Sequence, residues 1–232
     1  SWEQAMSWTE GLEACLVVML ASVSSTMLVG DQLWVKIIGP ASCGKTTLAE
    51  ALAVAKKYVV AKSTVRGFHS GWKGSQSPVE QFKGKTLITK DGDTLLQSPN
   101  LGTILAEARD IYDTTSRTSY RNQESVNLEG LRMTWILCGT SSLRALDNSE
   151  LGERFLDCVM MDSIDDDLED EILMMVAQSQ ARIMSNQADE EVSSNYSPEL
   201  LKAMQLTAGY VEYLRDNASE LMRAVSIDRD VM

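Results

Sequence analysis

LWVKIIGPASCGKTT, residues 33–47, joins an apolar run to a glycine-rich turn and to the start of a helical pattern. Residues 33–38 have the length and the β-branched content of a buried strand. Residues 39–46 match G-x-x-x-x-G-K-[ST], and apolar side chains then continue at helical spacing at Leu48, Leu52 and Ala55. A strand, this turn and a helix in that order predict a phosphate-binding loop.

The predicted loop implies a particular set of contacts. Gly39 and Gly44 allow a tight backbone whose N–H groups point at a phosphate, and the following helix N-terminus adds its dipole. Lys45 is expected to reach the β- and γ-phosphates, and the Thr46 hydroxyl is expected to bind Mg²⁺. The residues expected to contact a nucleotide here are Gly39, Pro40, Ala41, Ser42, Cys43, Gly44, Lys45, Thr46 and Thr47.

Composition limits the class of protein. The chain has 232 residues, of which 44% are hydrophobic, enough for one large packed domain or for a core with a smaller attachment. A formal net charge of −12 disfavours nucleic acid over the whole surface, so polymer contact would need a local basic patch. The apolar run at 14–21 is too short for a membrane span, so no membrane anchor is expected.

The four cysteines indicate a reducing environment. No two of them form a C-x-x-C pair, which argues against a zinc site and a disulfide framework. We therefore expect a cytoplasmic protein. The cysteines are Cys15, Cys43, Cys138 and Cys158.

Short apolar runs alternate with helical patterns along most of the chain. After the first strand, further strands are predicted at 58–62, 86–90, 132–138 and 156–161, and helices at 45–56, 99–112 and 148–155. This alternation predicts an α/β fold, a five-stranded parallel sheet with helices on both faces. Residues 1–29 predict one or two preceding helices, in which Trp2 and Trp8 are expected to pack on their own domain.

An acidic residue ends the strand predicted at 86–90. Asp91 would lie at the carboxyl end of that strand, where a Mg²⁺ beside a phosphate loop needs a ligand. The alternative is a plain turn at Asp91-Gly92 between two elements.

Two polar segments are candidates for polymer contact. Residues 63–77 follow Lys62 and interleave cationic or imidazole groups with aromatic ones, and a second polar loop spans 113–130. The alternative is that these are surface loops whose aromatic side chains pack inward, and His69 is expected to have no catalytic role. The side chains concerned are Lys62, Arg66, Phe68, His69, Trp72 and Lys73 in the first, and Arg117, Tyr120 and Arg121 in the second.

The order of these parts resembles a AAA+ ATPase, with a resemblance that covers residues 5–225. Four segments are also similar in sequence to ATP-binding proteins of bacteriophages and other mobile elements: 33–48, 84–96, 109–117 (RDIYDTTSR) and 151–157 (LGERFLD). The resemblance implies ATP or ADP with Mg²⁺, a P-loop core at 1–161 that includes the helices of 1–29, and a small helical lid at 162–232.

The resemblance also implies roles for single residues. Asp91 becomes the Walker B aspartate, and Thr140 takes the place of the sensor that orients the attacking water. Arg154 resembles the arginine finger delivered to a neighbouring subunit, which implies a ring or helical homo-oligomer, with a hexamer expected. The alternative for Arg154 is a surface arginine at a helix end.

Two positions depart from the family pattern. The usual D-E pair is Asp91-Gly92 here, so the glutamate that polarises water is missing at its usual place. Asp93 is the nearest substitute in sequence, with Glu107 and Glu124 as alternatives. Arg215 is a weak candidate for the second sensor that contacts the nucleotide.

The leading functional hypothesis is therefore an oligomeric Mg²⁺-dependent ATPase that moves or remodels a polymer, with DNA favoured and the segments 63–77 and 114–127 facing it. One alternative is a protein remodeller that grips polypeptide with Phe68 and Trp72. Another is a nucleotide-controlled loader or regulator that hydrolyses slowly, which the missing glutamate favours.

Overall fold

The structure is a computed structural model that describes residues 2–28, 32–68, 78–113, 115–119, 125–129, 131–148, 151, 154–160, 196–221 and 223. Its strands are β1 (Trp34–Ile38), β2 (Val59–Lys62), β3 (Thr86–Thr89), β4 (Thr115–Ser119), β5 (Ser125–Glu129), β6 (Thr134–Gly139) and β7 (Phe155–Val159). Its α-helices are α1 (Trp2–Ala5), α2 (Glu10–Ser25), α3 (Lys45–Ala53), α4 (Pro78–Phe82), α5 (Gly92–Leu96), α6 (Leu101–Tyr112) and α7 (Pro198–Asp216), and a 3₁₀ helix covers Ser141–Asn148.

Five strands form one parallel sheet in the order β2-β3-β6-β1-β7. β1 lies between β6 and β7, with Ile37 level with Cys138 on one side and Cys158 on the other. The predicted α/β fold with a five-stranded parallel sheet is confirmed. Because all five strands run the same way, their carboxyl ends meet at one edge.

Helices cover both faces of the sheet. On one face Val35 and Ile37 pack with α2, α3 and α7, and on the other Trp34 and Ile38 pack with α6 and the 3₁₀ helix. The alternation of neighbouring β1 residues between the two clusters follows from the two-residue period of a strand. A strand buried on both faces is apolar at most positions, which is why β1 could be predicted from its apolar run.

One charged residue lies within this central strand. Lys36 is fully buried, and its ammonium contacts the Asp157 carboxylate on the adjacent strand over 2.8 Å. A buried charge is tolerated when it is paired in this way.

The polar segment at 113–130 differs from its prediction. Instead of a loop, the structure has an antiparallel hairpin in which β4 pairs with β5 from Thr115 opposite Glu129 to Ser119 opposite Ser125. β4 is polar along its whole length and lacks the apolar alternation that identifies a half-buried strand, and in β5 that alternation is limited to Val126 and Leu128. The prediction of a loop was therefore wrong for these residues.

The boundary of one further element differs as well. The helical turn before β7 covers 141–148 rather than the predicted 148–155, of which 149, 150, 152 and 153 lie outside the described residues. The predicted boundary of the lid at 162 also lies outside them. Within the lid region, α7 buries Ala203, Met204, Ala208 and Val211 in the same cluster as α2 and α3.

The amino-terminal tryptophans pack on their own domain, as predicted. Trp2 and Trp8 stack with ring centroids 5.4 Å apart, and the Trp2 indole donates a hydrogen bond to the Thr207 hydroxyl on α7.

Across the described part of the chain, no helix combines the length and apolar character that a membrane crossing requires.

Candidate functional site

The residues predicted to bind phosphate lie where β1 ends. The 39–46 loop connects β1 to α3, and the Gly39 N–H donates to the carbonyl of Gly139 at the end of β6, over 3.2 Å. On the other side, the Met160 N–H, just after β7, donates to the Ile38 carbonyl over 2.8 Å. The loop is thus held between the carboxyl ends of both neighbouring strands. In open parallel sheets, ligands bind in the crevice outside these ends.

The backbone of the 39–46 loop makes a tight turn with two left-handed residues. Ser42 and Gly44 have φ angles of 62° and 89°, the left-handed values of a tight turn. Alternation of left- and right-handed residues points successive N–H groups into one concavity. α3 begins at Lys45, so its first N–H groups have no intrahelical acceptor and face the same way. Pro40, Ala41, Ser42 and Thr46 are exposed.

Lys45 lies at the centre of this loop. Its ammonium donates hydrogen bonds to the carbonyls of Gly39, at 2.9 Å, and Pro40, and it lies 3.3 Å from the Cys43 sulfur. The side chain is largely buried. The Lys45 ammonium thus lies against the backbone carbonyls of the loop that is predicted to bind phosphate.

Thr140 and Asp93, two residues that the sequence predicts for the site on separate grounds, contact each other beside the loop. Thr140, which follows β6, donates to the Asp93 carboxylate from its main-chain N–H at 3.0 Å and from its hydroxyl at 2.9 Å. The Ser142 hydroxyl donates to the same carboxylate. Asp93 is in the first turn of α5, which brings the end of β3 against the end of β6.

Asp93 is ionised at neutral pH. Partial burial by itself would raise the pKa of its carboxyl, but hydrogen bonds from Ser142 and Thr140 and the positive charge of Lys45 outweigh that effect and lower the pKa. Asp93 is thus near enough to Lys45 for the positive charge to favour the carboxylate. A carboxylate at this position can bind Mg²⁺ or orient a water molecule.

Asp91 has a different environment. Its carboxylate caps α5, accepting from the Thr94 main-chain N–H at 2.9 Å and from the Thr94 hydroxyl at 2.6 Å. Asp91 thus lies at the sheet edge where it was predicted, with its carboxylate engaged by the helix that it starts.

The structure explains why glycine follows Asp91. A Cβ at Gly92 would lie 2.8 Å from Leu143 Cδ2 and 3.0 Å from the carbonyl oxygen of Cys138. α5 approaches the end of β6 so closely that position 92 has no room for a side chain. A glutamate is excluded there by packing.

Arg154 lies at the amino-terminal ends of the strands, away from the 39–46 loop. It immediately precedes β7, donates to the Asp113 carboxylate at 3.2 Å and lies over the Tyr112 ring. Since β7 begins level with Trp34 and runs parallel to β1, Arg154 is about 17 Å, the length of a five-residue strand, from its own 39–46 loop. Within its own subunit, Arg154 therefore does not reach the 39–46 loop.

Arg215 does not have the position that the resemblance implies. It is buried on α7, where its guanidinium donates to the Thr26 hydroxyl and to the Gly84 carbonyl at 2.6 Å, and lies over the Tyr58 ring. Gly84 and Tyr58 precede β3 and β2, so this guanidinium is at the amino-terminal edge of the sheet. The proposed nucleotide contact is corrected: Arg215 joins α7 to the core at the edge away from the 39–46 loop.

The candidate polymer-contact segment 63–77 is described only as far as Phe68. Phe68 is fully buried against Phe82 and Trp135, so its predicted part in gripping a polymer was wrong. The Glu107 carboxylate accepts from the Phe68 N–H at 2.8 Å, so this alternative water-polarising residue has a structural contact instead. Lys62 and Arg66 are exposed. Residues 69–77 of the first segment lie outside the described residues. So do residues 120–124 of the second segment, which include Glu124.

Two contributing residues were not predicted. Ser142 joins the Asp93–Thr140 pair, and its signal in the sequence is its place two residues after Thr140. Glu50 on α3 receives hydrogen bonds from Lys90, at 3.0 Å, and from Tyr196, which raises the pKa of Tyr196 to about 12. Glu50 therefore connects the helix after the loop to the end of β3 and to Tyr196, two residues before α7.

Within the described ranges, no group of three or more His, Cys, Asp or Glu side chains is arranged to hold a metal ion. Mg²⁺ is commonly bound by one or two protein oxygens together with substrate phosphates. The exposed hydroxyl of Thr46 and the Asp93 carboxylate fit that arrangement at this edge.

No protein-family model matches the chain, and a search of curated proteins finds no significant similarity.

Proposed function

We propose that the protein is a Mg²⁺-dependent ATPase of the AAA+ type, which works as an oligomer on a polymer, most favourably DNA. The observation that carries the proposal is the meeting of the Lys45 loop with the Asp93–Thr140 pair at one edge of a parallel sheet. Phosphoryl transfer depends on positioned charges more than on covalent chemistry, and this edge supplies them.

In this proposal each residue has one task. The N–H groups of the 39–46 loop and the Lys45 ammonium bind the phosphates, and the Thr46 hydroxyl and Asp93 hold Mg²⁺, which when bound neutralises charge on the phosphate oxygens. Thr140 fixes the direction of the Asp93 carboxylate through two hydrogen bonds. Asp91 is retained as a weaker candidate ligand, because its carboxylate also caps α5.

Arg154 supports the proposed oligomer. It is at the sheet edge opposite the loop of its own subunit, yet its side chain is partly exposed. A neighbouring subunit that placed its own loop against this edge would receive Arg154 at the γ-phosphate, where a guanidinium stabilises the developing charge. Such a contact repeats head to tail and closes into a ring or continues as a helix.

The experiment is steady-state ATP hydrolysis with Mg²⁺, with and without single-stranded DNA. We expect DNA to stimulate the parent, and Arg154→Ala to lower turnover about 1000-fold while leaving ATP binding unchanged. The matched control is Arg144→Ala, an exposed arginine on the 3₁₀ helix. Mixing Arg154→Ala with Lys45→Ala should restore part of the activity. At some interfaces of the mixed oligomer, an Arg154→Ala subunit supplies an intact Lys45 loop and a Lys45→Ala neighbour supplies an intact Arg154. Normal turnover by Arg154→Ala argues against the trans contact.

A second candidate is a nucleotide switch with slow turnover. The packing at Gly92 favours it, because the usual water-polarising glutamate has no room there and Asp93 is already bound by three donors. Measurable ATP binding with negligible turnover in every condition would select this candidate. A peptide-gripping remodeller is less favoured, since Phe68 is in the core.

DNA as the polymer rests on the exposed cations Lys62 and Arg66 and on the basic and aromatic composition of residues that follow. Phosphate contacts release counterions, so binding should weaken steeply with salt. An Arg66, Trp72 and Lys73 triple alanine variant that binds single-stranded DNA as well as the parent does would contradict this choice.

A further inference from the structure

Two thiols lie in contact below the 39–46 loop. The sulfurs of Cys15, on α2, and Cys158, on β7, are 3.5 Å apart, although the residues are 143 positions apart in the chain. All four cysteines of the chain are free thiols. This pair is not used by the proposed ATPase chemistry.

The two thiols differ in a way that suits stepwise oxidation. Cys15 is fully buried, whereas Cys158 is half-buried on the edge strand β7. The hydrogen bond with Cys15 lowers the pKa of Cys158 to about 7, and the same contact together with burial raises the pKa of Cys15. Cys158 is therefore the more accessible thiol and the more readily ionised one.

We propose that Cys15 and Cys158 are a redox-modification site that forms a reversible disulfide on exposure to peroxide. The Cys158 thiolate attacks one peroxide oxygen, giving a sulfenic acid and releasing hydroxide, which takes up a proton as water. The Cys15 sulfur then attacks the Cys158 sulfur, the S–O bond breaks, and a second water leaves with the Cys15 proton. Two thiols are oxidised to one disulfide, and hydrogen peroxide is reduced to two water molecules.

The disulfide would act on the loop through α2. Leu12 is one turn before Cys15 on this helix, and its Cδ2 is 2.9 Å from the position of a Cβ on Gly44. Bond formation shortens the sulfur separation by about 1.5 Å, to about 2.05 Å. Because Leu12 packs closely on Gly44, a movement of α2 that accompanies bond formation would change the shape of the loop. This regulatory consequence rests on the proposed nucleotide binding.

The test begins with hydrogen peroxide on the whole chain and peptide mapping without reductant. The proposal predicts a peptide pair linked through Cys15 and Cys158, removed by dithiothreitol, absent from Cys158→Ser and retained by Cys138→Ala. It is overturned if peroxide leaves both thiols free, oxidises Cys158 without linking it, or links other cysteines.

A second measurement compares Mg²⁺–ATP affinity in the reduced and the linked protein. We expect at least threefold weaker binding in the linked form, with no effect of peroxide on Cys158→Ser. Equal affinity in the two forms overturns the regulatory step. An absence of ATP binding in both forms contradicts the proposed function and leaves the peptide map to decide on the disulfide.

Discussion

The Asp93 carboxylate accepts two hydrogen bonds from Thr140, one from its main-chain N–H and one from its hydroxyl. These residues follow β3 and β6, which are neighbours in the sheet, so the contact joins two strand ends beside the 39–46 loop. It also separates the roles of two nearby acids, because Asp91 caps α5 while Asp93 is bound by Thr140 and Ser142.

Exchanging each of these acids for its amide tests that separation. We expect Asp93→Asn to lower ATP turnover about 100-fold, because it removes a negative charge at the metal and the water. Asp91→Asn should change turnover less than about threefold, since asparagine caps a helix as well as aspartate does. Steady-state kinetics at saturating Mg²⁺–ATP measure both. A larger loss of turnover in Asp91→Asn than in Asp93→Asn would indicate that Asp91 is the metal ligand.

The lowered pKa of Asp93 makes its contribution to stability depend on pH in a defined direction. The ionised form is favoured in the folded state, so the contribution is complete above the unfolded pKa of about 3.9 and is lost as pH falls through the folded pKa. The difference in Tm between the parent and Asp93→Asn should be constant from pH 8 to 5 and should shrink below about pH 4. A difference that persists unchanged in stronger acid would contradict the charged hydrogen bonds.

A side chain at position 92 should destabilise the fold. We expect Gly92→Ala to lower the free energy of unfolding by about 1–3 kcal/mol, because its Cβ would press on Leu143 and on the Cys138 carbonyl. The control is Gly102→Ala on α6, where a Cβ meets nothing within 4 Å and should stabilise the helix by about 0.5–1 kcal/mol. Urea unfolding measures both, and equal effects would show that α5 does not approach β6 so closely.

Arg215 should matter for stability and not for nucleotide binding. Arg215→Ala leaves the Thr26 hydroxyl and the Gly84 carbonyl without their donor inside the protein, which should cost about 2–4 kcal/mol. Its affinity for Mg²⁺–ATP should remain within twofold of the parent under conditions where the variant is folded. Calorimetric titration and urea unfolding measure the two effects, and a tenfold loss of affinity at unchanged stability would restore its assignment as a sensor.

The sequence predicts those parts of the fold that have an apolar pattern. β1, β3 and β6 are buried along their whole length and appear as short apolar runs between turn residues. In the β4–β5 hairpin, β4 is polar throughout and only Val126 and Leu128 alternate in β5, so the apolar pattern is too short to distinguish the hairpin from a loop. Phe68 shows the same limit, because its polar neighbours in the chain conceal that its ring packs on Trp135.

Some residues of the candidate site can also be located from the sequence, whereas others depend on tertiary packing. The 39–46 loop is one continuous motif, and its position after β1 follows from the sequence alone. The Asp93–Thr140 contact spans 47 positions and depends on the adjacency of β3 and β6, which no local pattern specifies. The position of Arg215 depends on how α7 packs across α2 and α3, so its place along the helix could not show which edge of the sheet it reaches.

The central claim is that the 39–46 loop binds a nucleotide, and calorimetric titration of the parent with Mg²⁺–ATP tests it most directly. Lys45→Ala should bind at least tenfold more weakly, because the ammonium at the centre of the loop is removed, while the exposed control Lys57→Ala should match the parent. No binding by the parent at millimolar ATP, or equal binding by Lys45→Ala, would contradict the claim.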